Sequence, residues 1–231
     1  MKREGVRGRV GEIVVVVIGI LLAVSVDSAW QSAQDRQLAK EVLSGIAAAT
    51  QNNRALLEAR IDRRERKLDA THELLLWATD PSVTIPPDSI GMLVSAIRVN
   101  QRLRPDDSRI RELITSGRMH LIHNEDLRAL LAGWDAEFTD LAAKELDSVD
   151  NRKRIVSWLN PRVPLDGGGL GRLDRLPRRA WTATDTQMLR VMDFENMLRR
   201  QFFLDSSAQL AAMDLLVFFD EMLGLVAAEA D

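Results

Sequence analysis

Residues 38–75 read LAKEVLSGIAAATQNNRALLEARIDRRERKLDATHELL and contain no proline. Apolar residues recur in this stretch at steps that keep them near one face of a helix, which is the pattern of an amphipathic helix. The recurring positions are Leu38, Val42, Ile46, Ala49, Leu56, Ile61, Leu68 and Leu75. Because a residue that precedes proline disfavours helical backbone, Asp80-Pro81 marks the end of the segment. The pattern predicts one long helix over residues 31–79.

Shorter helical segments follow the long helix, and each is bounded by proline, glycine or a capping residue. Gly117 suits the end of one helix, and Asn124 suits the start of the next. Asp205-Ser206-Ser207 is a point at which the last segment can break. The predicted segments cover about 88–101, 109–116, 124–159 and 182–229, with a loop over residues 161–181.

The composition favours helices over strands. Alanine, leucine and arginine are frequent, whereas β-branched residues cluster at residues 10–26 and are sparse afterwards. We therefore expect an all-α fold in which the long helix packs with the segments of residues 88–231 as an antiparallel bundle of four to five helices. The chain has no cysteine, which excludes a disulfide framework, a thiolate zinc site and a cysteine nucleophile.

An apolar segment precedes the long helix. Residues 13–26 carry no charge, and residues 10–30 would span about 31 Å as a helix, which matches the hydrocarbon core of a bilayer at about 30 Å. Trp30 suits the membrane interface, and the basic residues before position 10 favour the cytoplasm for residues 1–9. The segment predicts a single transmembrane helix, defined by Val10, Ile13, Gly19, Ala23, Val26 and Trp30, with residues 31–231 outside the cytoplasm.

Two other interpretations of this segment stay open. Ala23-Val24-Ser25 is a tolerable small-x-small site, so the segment is also compatible with a cleaved signal peptide. A buried core helix of the bundle has the same apolar character. The pattern continues past Ser25 into helix-favouring sequence, which is typical of an anchor that runs on into a stalk.

Two motifs resemble those of a known family. The first is Gly11-Glu12-Ile13, followed by Gly19-Ile20-Leu21-Leu22-Ala23 and by Trp30. The second consists of Ser116, Gly117, Leu121, Ile122, Asn124, Leu127 and Arg128. Together they resemble the signature of a large family of uncharacterised bacterial single-pass membrane proteins. The resemblance implies a bacterial inner-membrane protein with one span and a helical body, and it implies no activity.

The chain departs from this family at one place. Asp27-Ser28-Ala29 stands where the family usually has asparagines at the membrane exit. A role for an asparagine pair at that position is therefore not carried over to this chain. The motif positions are assigned no catalytic, cofactor-binding or metal-binding role.

Several polar clusters in the sequence are candidate sites. His120 and His123 lie three residues apart, but the spacing fits polar residues that flank Leu121-Ile122 better than a zinc site, which needs three or four ligands. The glycines of residues 166–172 fit a flexible connection, because the Gly-Lys-Ser/Thr end of a phosphate-binding loop is missing. The arginines of residues 172–179 would meet anionic headgroups if that loop folds back to the membrane.

A basic cluster in the long helix alternates with acidic residues. Alternating signs on a helix are typical of a solvated or coiled-coil flank, so we expect these side chains in solvent. The basic members are Arg60, Arg63, Arg64, Arg66 and Lys67, and the acidic members are Glu58, Asp62, Glu65 and Asp69. With a net charge of -3 and no unbalanced basic face, the chain is not expected to bind nucleic acid.

The sequence therefore predicts a membrane-anchored interaction or scaffold protein that is not an enzyme and uses no cofactor. Its expected partners are the lipid bilayer, an unidentified protein and a second copy of the chain through the helix of residues 30–79. The alternative is an extracytoplasmic ligand-binding or sensory module that signals through a partner, because only about nine residues would lie in the cytoplasm. An enzyme is the third possibility, and the sequence shows no convergent polar cluster that would support it.

Overall fold

The structure is a computed structural model that describes residues 4–99, 105–164 and 180–230. For residues 4–17 and 20 it describes the backbone alone. Every regular element in this part of the chain is a helix, which confirms the all-α prediction. The described residues form six α-helices, against the predicted four or five. They are α1 (Glu4–Thr79), α2 (Pro87–Ile97), α3 (Ser108–Thr115), α4 (Glu125–Leu159), α5 (Ala183–Gln187) and α6 (Met192–Ala230), with a 3-10 turn at Arg118–Leu121.

The three long helices alternate in direction. Arg54 of α1 pairs with Asp220 of α6, and Lys67 further along α1 pairs with Asp205 earlier in α6, so these two helices are antiparallel. Ser148 of α4 donates to the same Asp205. Helix α6 packs against both α1 and α4, which lie parallel and diagonally across the bundle from each other.

The chain returns from the end of α1 to the start of α4 through two short helices. Ile97 of α2 lies in the core with Trp77 near the end of α1, whereas Ile110 of α3 lies in the core with Ile46 much earlier in α1. Helices α2 and α3 therefore form the second leg of an antiparallel bundle, interrupted between Ile97 and Ser108. Helix α6 is continuous across Asp205-Ser206-Ser207, so the break considered there is not observed.

Helix α1 changes character along its length. Residues 21–37 are exposed throughout, and from Ala39 onward one face of the helix is buried in the bundle. Among the residues whose side chains the structure describes, no helix has both the length and the apolar character that a membrane crossing requires. The first part of the predicted span, including Val10 and Ile13, lies outside those residues. Gly19, Ala23, Val26 and Trp30 of the predicted span are exposed.

Two apolar clusters form the core. The Trp134 cluster includes Leu57, Leu131 and Phe219, and the ring centroids of Trp134 and Phe219 lie 5.6 Å apart. The Phe194 cluster lies at the other end of the bundle, where the Trp158 ring stacks on Phe194 at 5.4 Å. The stretch between the two clusters is occupied by polar side chains.

Candidate functional site

A layer of polar side chains from the three long helices separates the Trp134 cluster from the Phe194 cluster. We call it the polar layer, and all of its members are buried except Lys67, whose side chain is 11% exposed. Its members are Arg60, Arg64 and Lys67 of α1, Glu145, Ser148 and Asn151 of α4, and Gln201 and Asp205 of α6.

One half of the polar layer is built on Glu145. Its Oε1 accepts from Arg60 Nε at 2.7 Å and from Arg64 Nη2 at 2.7 Å. Arg64 Nη1 also donates to the carbonyl oxygen of Ala208 at 3.0 Å, which ties α1 to α6. Because α1 and α4 lie diagonally across the bundle, only long side chains such as arginine bridge them.

The other half is built on Asp205. Its carboxylate accepts from Lys67 Nζ at 2.8 Å, from Ser148 Oγ at 2.6 Å and from Gln201 Nε2 at 2.8 Å. Asn151 Nδ2 donates to Gln201 Oε1 at 3.0 Å and so extends the network toward the Phe194 cluster. All three long helices therefore contribute to one hydrogen-bonded network.

Each charged side chain of the polar layer lies beside a charge of opposite sign. Three cations of α1 face two carboxylates, and burial of charge is unfavourable unless each charge has a partner. Burial, opposed by the charge of Glu145, lowers the pKa of Arg60 to about 10. Burial also lowers the pKa of Lys67 against the attraction of Asp205. Arg60 Nη2 is buried and has no hydrogen-bond partner among the described residues.

A small cavity opens into the polar layer. It has a volume of about 20 Å³, and its lining includes Arg64, Lys67, Ser148, Arg152 and Asp205. A cavity of this size accommodates one water-sized species. It has no room for an organic substrate, so the arrangement does not favour catalysis at this place.

The prediction that the basic cluster of α1 is solvated is wrong for three of its members. Arg63 and Arg66 are exposed, as expected, whereas Arg60 and Arg64 are buried and Lys67 is largely so. The reason lies in the spacing. These three positions continue the three- and four-residue steps of the buried face, which comprises Asn53, Leu57, Arg60, Arg64, Lys67, Thr71 and Leu74. This spacing indicates that Arg60, Arg64 and Lys67 lie on the buried face of α1, whereas the alternation of basic and acidic residues suggests an exposed one.

The second of the two sequence motifs, from Ser116 to Arg128, forms the corner between α3 and α4. Gly117 has φ +70°, a left-handed conformation that favours glycine at a helix end. Asn124 caps α4, and its side chain accepts from Leu127 N at 3.0 Å. Arg128 Nη1 donates to the carbonyl oxygen of Ile122 at 3.0 Å. Leu121, Ile122 and Leu127 are buried, whereas Ser116 is exposed. Most of the motif therefore stabilises the fold at this corner, by burial or by capping.

The end of α6 is attached to the same corner. The carboxylate of Glu229 accepts from His123 N at 2.7 Å and from Asn124 N at 2.9 Å. Burial raises the pKa of Glu229, but the hydrogen bonds from the His123 and Asn124 backbone outweigh it, and the net result is a lowered pKa. We call this contact the Glu229 latch.

The histidines are not brought together as metal ligands. His120 Nδ1 lies 3.2 Å from the carbonyl oxygen of Gly117, whereas His123 Nδ1 faces Glu229. No group of three or more histidine, aspartate and glutamate side chains converges on one point within the described ranges. The structure describes only the backbone of Gly11 and Glu12. The described ranges do not include the glycines of residues 166–172 or the arginines of residues 172–179.

The outer face of α6 carries an exposed apolar row, which we call the α6 stripe. Its members are Phe203, Leu210, Met213 and Val217, and their exposed fractions range from 50% to 70%. Arg200 is exposed toward one end of the stripe, and Glu221 is exposed toward the other.

No family model, curated protein or solved structure matches this chain.

Proposed function

We propose that the chain is a membrane-anchored, non-enzymatic interaction or scaffold protein whose bundle binds a helix of a partner through the α6 stripe. The observation that carries this proposal is the stripe itself. Exposed groups of large apolar side chains commonly mark binding surfaces. In the α6 stripe, exposed Asp214 lies between Leu210 and Val217 on the same face of the helix. A partner helix that covered the stripe would remove that apolar surface from water.

The spacing of the stripe suits a helix as its partner. Phe203, Leu210 and Val217 follow one another at seven-residue steps, and Met213 lies between two of them. Seven-residue steps keep side chains on one face over several turns, which is how a helix in a groove or a coiled coil is recognised. Arg200 lies at one end of the stripe and Glu221 at the other. A partner helix with an acidic residue beside Arg200 and a basic residue beside Glu221 would therefore be favoured.

A second copy in the same membrane fits the stripe poorly. Copies anchored through α1 would present α6 in the same direction, so Arg200 would face Arg200 and Glu221 would face Glu221. Like charges opposite each other are unfavourable. Beyond Leu38 most of the apolar side chains of α1 are buried within the chain, so pairing of copies through residues 30–79 would use mainly the segment before Leu38.

The proposed anchor is the N-terminal part of α1. The side chains of Ile18, Leu21, Leu22, Val24, Val26 and Trp30 are between 51% and 72% exposed. A bilayer would cover this apolar surface, and Trp30 would lie at its interface. We place the N-terminus in the cytoplasm and the bundle outside it, at a bacterial inner membrane.

Topology is tested with reporters fused after Asp231. We expect active alkaline phosphatase and no fluorescence from a fused fluorescent protein, with the chain in the membrane fraction after an alkaline wash. Fluorescence together with inactive phosphatase would overturn the orientation. Recovery of the chain in the wash supernatant would overturn the anchor.

The α6 stripe is tested with a photo-crosslinking amino acid at Leu210 in intact membranes. We expect a discrete crosslinked product that is weakened by Val217→Glu. Leu146 of α4 is the matched control, since it is a leucine that is 46% exposed outside the stripe. An equal product at Leu146, or none at Leu210, would contradict the interaction. A product of twice the chain mass would show that the partner is a second copy.

A ligand-binding or sensory module is the second candidate function. The observation that favours it is the small cavity of the polar layer, which lies inside a bundle that α1 connects to the proposed anchor. Such a module would signal through a partner protein. Its ligand would have to be small.

A further inference from the structure

We infer that the helix covering the α6 stripe carries a lysine or arginine inside its own apolar face, placed to pair with Asp214 of this chain. This pairing rests on the proposed function, because it takes place at the same stripe. It makes Asp214 the residue that determines which helices the stripe accepts.

Asp214 lies within the stripe rather than at its edge. It follows Leu210 by four residues and precedes Val217 by three, and such steps keep side chains on one face of a helix. All three side chains are exposed, as is Phe203 seven residues before Leu210. A helix that lies over Leu210 and Val217 therefore covers Asp214 as well.

Asp214 has no ion pair or hydrogen bond through its side chain in the part of the chain that the structure describes. A partner on the same helix would lie three or four residues away, and all of those positions are apolar. They are Leu210, Ala211, Val217 and Phe218. By contrast, Asp220 further along α6 pairs with Arg54 of α1 at 2.6 Å. The Asp214 carboxylate is therefore available to a partner.

A purely apolar helix on the stripe would remove the Asp214 carboxylate from water without giving it a partner. Burial of a carboxylate is strongly unfavourable unless the charge is paired and hydrogen-bonded. A lysine or arginine of the partner supplies both an opposite charge and N–H donors. A polar residue within an apolar helical interface also fixes register, and helices that lack the matching group are rejected.

The same carboxylate disfavours two other occupants of the stripe. In a second copy anchored in the same membrane, Asp214 would face Asp214, and like charges opposite each other are unfavourable. An anionic membrane surface would be repelled by Asp214 and by Glu221 at the end of the stripe. A helix with a cation in its apolar face covers the apolar side chains and pairs with the carboxylate at once.

The test compares variants of Asp214 in the full chain, with the photo-crosslinking amino acid at Leu210 in intact membranes. Asp214→Leu extends the apolar row, so it would strengthen binding of a purely apolar helix. For the inferred partner it removes the carboxylate and leaves a cation buried alone. We therefore expect the crosslinked product to fall about tenfold or more with Asp214→Leu and with Asp214→Lys, and to be retained with Asp214→Glu.

Asp147→Leu is the matched control, since Asp147 is an exposed aspartate of α4 outside the stripe, and it should leave the product unchanged. An undiminished or stronger product with Asp214→Leu would overturn the pairing and leave the proposed function intact. Absence of a product in the chain with native Asp214 would contradict the stripe as a binding surface, and the pairing with it. Denaturant titration checks that each variant is folded, as expected for substitutions at exposed positions.

A second measurement does not depend on substitutions at Asp214. Mass spectrometry of the crosslinked product identifies the segment of the partner that lies on Leu210. We expect a lysine or arginine in that segment, three or four residues from apolar residues on both sides. A segment without a cation at such a position would overturn the pairing.

Discussion

The polar layer and the Trp134 cluster are neighbours on the same three helices, yet they stabilise the bundle in different ways. In the Trp134 cluster, rings and leucines pack without directional partners, so many arrangements bury similar area. In the polar layer each charge has specific partners, such as Lys67 with Asp205. A slide of α6 by one turn would bury charges without partners, which is strongly unfavourable. The comparison teaches that apolar packing supplies stability, whereas the polar layer fixes the register of the helices.

The largest effect is expected when one partner of the polar layer is removed. Glu145→Leu would leave Arg60 and Arg64 buried without their carboxylate, and we expect a loss of about 3–5 kcal/mol of unfolding free energy. Replacing all three residues by leucine removes the charges together and should range from neutral to stabilising. Denaturant titration of both variants measures this difference. If the triple variant lost as much as the single one, the layer would not act through its charges.

The next largest effect distinguishes buried packing from surface packing within α1. Leu57 is fully buried in the Trp134 cluster, whereas its neighbour Leu56 is 44% exposed. We expect Leu57→Ala to reduce the unfolding free energy by about 2–5 kcal/mol because it leaves a cavity. Leu56→Ala should cost less than about 1 kcal/mol. Equal losses, measured by the same titration, would mean that the face of α1 is assigned wrongly.

A smaller effect is expected at the corner between α3 and α4. Asn124→Ala removes the side-chain acceptor for Leu127 N, and loss of such a cap reduces stability by about 1 kcal/mol. Asn196→Ala is a control, since Asn196 is exposed in the first turns of α6. Asn124→Asp should retain most of the stability, because aspartate caps helices as well as asparagine does. Failure of this rescue would argue against a capping role.

The smallest effect is expected at the Glu229 latch, and it depends on pH. The folded-state pKa of Glu229 is lowered from its ordinary value of 4.5, so its contribution is fully present above about pH 4.5 and is lost as the pH falls through the lowered value. We expect Glu229→Gln to reduce the unfolding free energy by about 0.5–1 kcal/mol at neutral pH.

The pH dependence supplies the control for this variant. The difference between the native chain and Glu229→Gln should shrink as denaturant titrations are repeated at lower pH. A difference that did not shrink at any acidic pH at which both chains remain folded would show that the carboxylate charge is not what holds the latch.

The sequence predicted those features of the fold that depend on local rules. Asp80-Pro81 follows directly on the observed end of α1 at Thr79, and Asn124 is the N-cap of α4 as expected. Both follow from backbone chemistry within a few residues. The second leg, which is split into α2 and α3, was harder to predict from the sequence, because its packing against α1 joins positions far apart in the chain.

Residue spacing places Arg60 and Arg64 on the buried face of α1, but the partners that allow their burial could not be predicted from local rules. Arg60 and Arg64 resemble surface residues beside Asp62 and Glu65, and their burial depends on Glu145, which lies 81 residues beyond Arg64 in the sequence. Similarly, Asp205 was considered a point where α6 can break, but its side chain is held by Lys67 and Ser148 while the helix continues. In both cases the observed structure depends on partners far away in the sequence.

The unbroken length of α1 has a mechanical consequence. From Trp30 to Thr79 the helix rises about 74 Å without a hinge, and the bundle is built along its far part. Such a rod acts as a lever arm, so a tilt of about 10° at Trp30 displaces Thr79 sideways by about 13 Å, given the helical rise. A small angular change near the start of the rod thus becomes a large sweep of the bundle and of the α6 stripe. The position of the α6 stripe relative to Trp30 is set by an angle rather than by a flexible tether.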